Sequence, residues 1–157
     1  MNKDKRGITI VETLFAAALV ASFMGVLSAA LILYFQTSTA VPKYTAAVFL
    51  ADEGIEAVRS IRNEGWDTEI GGLDNDVLYH LYFAEGKWNA TTTEQIIDGT
   101  FTRTFVLREV ERDVDGRIND AGVVDDETRL VEVSVEWDGL IGKSEVGLSA
   151  YITNIFD

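Results

Sequence analysis

Residues 8–35 read ITIVETLFAAALVASFMGVLSAALILYF, and Glu12 is the only charged side chain among them. From Thr13 to Pro42 there is no charge at all. An apolar run of this length exceeds the roughly 20 residues that an α-helix needs to cross a bilayer. A basic start at Lys3, Lys5 and Arg6 precedes it, which by the positive-inside bias puts the N-terminus in the cytoplasm. The run continues through LILYF beyond the small residues Ser28-Ala29-Ala30, where a signal peptidase would cut, and is longer than the roughly 7–15 residues of a signal-peptide core. A retained membrane segment therefore fits better than a cleaved secretory signal.

The remainder is acidic. Net charge is −13, from 26 Asp plus Glu against 13 Lys plus Arg, so the chain lacks the cationic footprint that nucleic-acid binding requires. It has no cysteine, so disulfides give no sign of the redox compartment.

Glu12 has a local explanation. Thr9-Ile10-Val11-Glu12 has the S/T-x-x-E spacing of a capping box, and an acid in the first helical turn offsets the macrodipole by about 0.3–1 kcal/mol. Against this stands the cost of a carboxylate at mid-membrane, about 2.5–3.5 kcal/mol on insertion scales. The larger cost calls for a partner.

KRG, then ITIVE, then a long apolar run resembles the leader of the type IV pilin family, which includes the pseudopilins of type II secretion. The resemblance implies cleavage by a prepilin peptidase between Gly7 and Ile8 and N-methylation of Ile8. Ile8 stands where the family usually has Phe. It further implies that the amine exposed on Ile8 of one subunit faces Glu12 of another. Desolvation consumes much of such an attraction, so the pair sets axial register more than it adds stability. The implied partners are other pilin subunits, the peptidase, the inner membrane and the pilus assembly platform. Removing Lys3, Asp4, Lys5 and Arg6 takes away a net +2, leaving −13 − 2 = −15. Self-repulsion of such heads favours a minor subunit.

Ala17, Ala21, Gly25 and Ala29 recur every four residues, and this small-xxx-small stripe suits close helix packing in a filament or a simple dimer alike. At Pro42 a kink or interruption is expected. Beyond it Ala47, Leu50, Ala51, Ile55, Val58 and Ile61 share one helical face and Asp52, Glu56, Arg59 and Asn63 the other, with Gly65 as the stop. The pattern then turns to strands over 77–83, 101–114, 128–137 and 145–155. Val131, Val133, Val135 and Trp137 alternate with polar residues, as do Val146, Leu148, Ala150 and Ile152.

The expected fold is α+β: a long N-terminal helix, hydrophobic in its first half, with its second half packed on an antiparallel β-sheet. This is also the pilin architecture. The expected divisions are a leader at 1–7, a hydrophobic helix segment at 8–42, an amphipathic one at 43–63, and a sheet domain at 64–157. AVFLADEGIEAVRSIRNEGW and AYITNIF add a weaker likeness to minor pilins of the pilus-modification class, without the C-terminal disulfide loop of many pilins.

Catalytic residues are not expected. His80, the only histidine, lies in a strand-like run, and neither a thiol nor a phosphate-binding glycine loop is present. No cofactor is expected except calcium. Glu111, Asp113 and Asp115 stand at the first, third and fifth places of an EF-hand-like loop, with Gly116 sixth and Ile118 eighth. Gly122 replaces the bidentate glutamate at the twelfth place, so Asp125 or Asp126 would have to substitute. A solvated hairpin loop explains the same residues and is favoured. Asn89-Ala90-Thr91 matches an N-glycosylation sequon, a pattern that often arises by chance.

Two functions follow: a structural subunit of a type IV pilus or secretion filament, held in the inner membrane before assembly and extracellular afterwards, or an uncleaved single-span anchor displaying an acidic interaction domain outside, with calcium as its candidate ligand.

Overall fold

The computed structural model describes residues 9–119, 121–139 and 142–155. Helix α1 (Ile10–Glu64) begins where Thr9 Oγ1 accepts the Glu12 N–H at 3.4 Å, the threonine half of the anticipated capping box. It continues through Pro42, which corrects the expected kink or interruption as far as helix continuity goes. Proline's φ of about −65° is already helical, so its cost is confined to one missing N–H and crowding of the preceding turn. Helical flanks on both sides outweigh that local loss. Two compact units meet at this point in the chain, Met1–Val41 and Pro42–Asp157.

In the second unit, α1 lays Ala47, Ala51, Ile55, Val58 and Ile61 into the core. Ala57 is buried beside them, and Glu56 pairs with Arg59 on the solvent side. After Gly65 a short π-helical turn (Trp66–Ile70) buries Trp66 and Ile70, an element that periodicity did not signal.

The sheet consists of β1 (Tyr79–Ala84), β2 (Lys87–Thr91), β3 (Ile96–Ile97), β4 (Phe101–Arg112), β5 (Val123–Asp138) and β6 (Lys143–Thr153). Every pairing is antiparallel, in the order β2-β1-β4-β5-β6, with β3 beside the start of β4. The β1–β2 turn places Glu85 and Gly86 at φ 55° and 81°, the positive values of a two-residue hairpin turn. β4 and β5 run in register from Phe101↔Trp137 to Glu109↔Arg129, then shift at a bulge that turns Val110 into the interior.

Phe101, Phe105 and Leu107 of β4 meet Val131, Val133, Val135 and Trp137 of β5 on the face beneath α1. On β6, Val146 and Ile152 are buried as expected, Ala150 is half-buried, and Leu148 is left 36% exposed.

Gly54 lies where helix and sheet approach closely. A Cβ there would lie 2.7 Å from Val133 Cγ1 and 3.1 Å from Arg103 Cδ. Val133 is β-branched and cannot swing away cheaply. Gly54→Val is therefore expected to destabilise the second unit by about 1–3 kcal/mol, and Val133→Ala in the same chain to recover part of that loss. Urea unfolding of the detergent-solubilised single and double variants measures both. Strict additivity of the two costs would contradict the contact.

Candidate functional site

The first unit carries the most conspicuous surface. α1 is long and apolar enough to cross a membrane, and none of its most apolar stretch is buried within the chain. Phe15, Phe23, Leu33 and Phe35 are all more than half exposed. Contiguous apolar surface on this scale marks contact with lipid or with another protein. Polar groups within it turn back onto the helix: Ser22 Oγ donates to the Ala18 carbonyl at 2.8 Å and Thr37 Oγ1 to that of Leu33 at 2.9 Å. Such bonds hide hydroxyls from hydrocarbon.

Glu12 is in the first turn of this helix, exposed, with its backbone N–H on Thr9 Oγ1. Ala17, Ala21, Gly25 and Ala29 are likewise exposed, and a Cβ on Gly25 would meet nothing within 4 Å. Gly7 and Ile8, the expected cleavage and methylation positions, lie outside the described residues.

The acidic hairpin between β4 and β5 uses its carboxylates internally. Asp113 Oδ1 accepts the N–H groups of Asp115 and Arg117, each at 2.9 Å, and so forms the turn. Glu111 Oε2 accepts the Gly122 N–H at 2.9 Å. Asp125 Oδ2 pairs with Arg112 Nε at 2.5 Å, and the same guanidinium reaches the Gly116 carbonyl at 2.9 Å and Thr128 Oγ1 at 3.2 Å. Asp126 contributes its carbonyl, at 3.1 Å from Arg129 Nη1. In the candidate cation loop the carboxylates of Asp113, Glu111 and Asp125 thus answer N–H and guanidinium groups of the hairpin itself. Among the described residues no three His, Cys, Asp or Glu side chains stand together as metal ligands.

Arg112 above all, and then Thr128, hold the Asp125 carboxyl below its ordinary pKa. A lowered folded-state value contributes stability above the ordinary carboxylate range, lost as pH falls through that range and then through the folded value. Asp125→Asn is expected to cost about 1 kcal/mol or less at pH 7, since solvent screens the pair. The difference from the parent should shrink between pH 7 and pH 2, which urea midpoints at the two pH values would show. A penalty unchanged in acid would rule out the charge as its origin.

On the sheet face away from α1, a shallow depression of about 420 Å³ lies over Thr104, Ser134, Gly147 and Ser149. Its rim acids are engaged: Glu132 with Arg108 at 2.5 Å, Glu136 with Lys143 at 3.0 Å, and Glu145 as acceptor from Ser134 Oγ at 2.6 Å. Glu132 raises the pKa of Arg108 and Glu136 that of Lys143, in each case chiefly by accepting its hydrogen bond. His80 is buried on β1, its Nδ1 receiving a long 3.5 Å contact from the Gln95 N–H. Asn89 of the sequon lies half-buried on β2, donating to the Lys87 carbonyl at 3.1 Å.

Arg103, absent from the expected functional residues, is 3% exposed at the helix–sheet interface. Its Nη1 donates to Glu53 Oε2 at 2.5 Å and to the Leu50 carbonyl at 3.1 Å, and its guanidinium lies 5.1 Å from the Trp88 ring centroid. It ties β4 and β2 to α1. Alternation carried the signal, because Arg103 falls between Phe101 and Phe105 on the inward face.

Fold and surface together define a class: an α+β domain continuous in sequence with a helix long and apolar enough to span a membrane. Comparisons with protein-family models, with curated proteins and with solved structures find no match.

Proposed function

We propose that the chain is a structural subunit, most simply a minor pilin or pseudopilin, of a type IV pilus or a related secretion filament. In this reading it waits in the inner membrane with its N-terminus cytoplasmic, is cut between Gly7 and Ile8, methylated on Ile8, and then joins the filament through its apolar helix. The observation that carries the reading is a lone carboxylate, Glu12, in the first turn of α1, ahead of a stretch from Thr13 to Pro42 that has no charge and whose most apolar part is unburied. A membrane anchor alone gains only the small macrodipole offset from that charge, whereas a helix packed among copies with free N-terminal amines can compensate it. The KRG-ITIVE sequence supports the same reading.

An uncleaved single-span anchor is the second reading, favoured by the place of Glu12 in the first turn of α1, where its charge offsets the macrodipole. Intact-mass measurement of the chain extracted from membranes of a prepilin-peptidase-competent host separates the two. A product beginning at methylated Ile8 supports the filament subunit. Retention of Met1–Gly7 supports the anchor.

A further inference from the structure

Both edges of the sheet are strands of one direction. Every pairing in the order β2-β1-β4-β5-β6 is antiparallel, so β2 and β6 run the same way, and neither has a partner on its outer side. Two copies set side by side without inversion bring β6 of one against β2 of the next as parallel strands. Their α1 helices then keep a common direction, as one membrane or one filament requires.

The registers fix which backbone groups are free. Asn154 donates to the Glu127 carbonyl at 2.8 Å and Gly139 to that of Gly142 at 2.9 Å, both continuing the β5–β6 ladder, so the even-numbered residues of β6 bond to β5. Glu145, Gly147 and Ser149 therefore turn their N–H and C=O groups outward. At the other edge the two-residue turn Glu85-Gly86 closes on the pair Ala84 and Lys87. Lys87, Asn89 and Thr91 thus bond to β1, and the backbone groups of Trp88 and Ala90 face outward.

We propose that β6 of one copy pairs in parallel with β2 of the next, with Trp88 beside Val146 and Ala90 beside Leu148. In a parallel ladder an outward residue bonds the two residues that flank its neighbour. The Trp88 N–H donates to the Glu145 carbonyl, and the Trp88 carbonyl accepts from the Gly147 N–H; Ala90 does the same with Gly147 and Ser149. Trp88, Ala90 and Val146 pack on the core side of the sheet, where alternation also places Leu148, so the apolar face continues across the joint. Half-buried Trp88 and 36% exposed Leu148 gain cover there.

Charge complementarity selects a second copy as the occupant and sets the register. Among the described residues neither Lys87 nor Glu145 belongs to an ion pair. Glu145 is the only carboxylate of β6, and Lys87 the only charged residue of β2. The proposed register makes them neighbours on the outer face, where opposite charges on adjacent strands attract. A shift of two residues one way sets Lys87 beside Lys143, and the other way beside Gly147. Residues 146–156 carry no charge, so the rest of this edge meets an acidic copy without burying a carboxylate. A head-to-tail contact leaves each copy one free edge, and so it repeats along a row. It needs no cleavage of the leader, and holds for an anchored chain and a filament subunit alike.

Oxidative cross-linking of the full-length chain in membranes tests this, since the chain has no cysteine of its own. Thr91 and Ser149 are neighbours across the joint, at the about 4.8 Å between adjacent strands, and a disulfide spans roughly 4.4–6.8 Å between Cα atoms. Within one copy three strands lie between them, which forbids an internal bond. A chain carrying both Thr91→Cys and Ser149→Cys should yield a series of dimers, trimers and higher products, whereas each single variant should stay monomeric. Adding Lys87→Glu should reduce the series several-fold, and adding Glu145→Lys to that chain should restore it. The series is expected from chains beginning at Met1 and at Ile8, so failure of the joint and failure of leader cleavage are distinct results. The proposal is overturned by absence of the series, by as much dimer from either single variant, by cross-linking to a different protein in its place, or by a series indifferent to Lys87→Glu.

Discussion

Replacing Glu12 with Gln should leave the chain in the membrane but remove it from the proposed filament. The substitution retains a side chain of nearly the same shape. The observed cap, from the Glu12 N–H to Thr9 Oγ1, uses the backbone and survives. What disappears is the charge. In lipid that loss is a relief, because a carboxylate near mid-membrane costs about 2.5–3.5 kcal/mol. The proposed assembly loses instead the group that answers the neighbouring N-terminal amine. Opposite directions in the two environments distinguish this from simple damage to the helix. A loss of about 1.4 kcal/mol in the pairing corresponds to a tenfold fall in incorporation, and one of twice that makes the mutant subunit undetectable beside the parent. Quantifying the variant in sheared filaments and in the membrane fraction tests both halves. Normal incorporation of Glu12→Gln would remove the role assigned to the carboxylate, whatever the fate of the leader.

The largest loss of stability is expected from Phe105→Ala. Phe105 is 1% exposed at the middle of β4, paired to Val133 across one strand and to Tyr79 across the other, with its ring stacked on Tyr79 at 5.6 Å between centroids. Removing the ring takes apolar surface out of the core and leaves a void that neighbours held by two ladders cannot collapse to fill. Such truncations cost about 3–5 kcal/mol, a large share of the roughly 5–15 kcal/mol that stabilises an ordinary domain. Near-ultraviolet circular dichroism of the detergent-solubilised chain through a urea titration follows loss of tertiary packing in the sheet unit. A shift worth less than about 1 kcal/mol would mean that the site relaxes freely, contrary to its dense surroundings.

How legible each element was depended on what holds it. Helical spacing of Ala47, Ala51, Ile55, Val58 and Ile61 and the alternation of Val131, Val133, Val135 and Trp137 revealed the two faces that pack together, because burial imposes the period directly. β2 gave no such signal: Lys-Trp-Asn-Ala-Thr is half-buried throughout and pairs through its backbone, as a turn at Glu85-Gly86 brings it back onto β1. β5 starts at Val123 rather than near Thr128 because Asp125 is neutralised by Arg112, a contact made across the hairpin and invisible to local propensity. Carboxylates at alternate positions look alike in sequence whether a metal, an arginine or a backbone N–H answers them. Pro42 was read from its intrinsic cost, and the continuous helix shows how little that cost decides when long flanks hold the turn.

The placement of the three tryptophans gives the molecule a selective optical reporter. Trp66, Trp88 and Trp137 all follow Pro42, two of them buried and Trp88 half-buried, while residues 9–41 contain none. Tryptophan emission, excited at wavelengths that tyrosine does not absorb, therefore tracks the second unit alone. Detergent, lipid or neighbouring helices can change around the apolar segment without placing an indole of this chain within it.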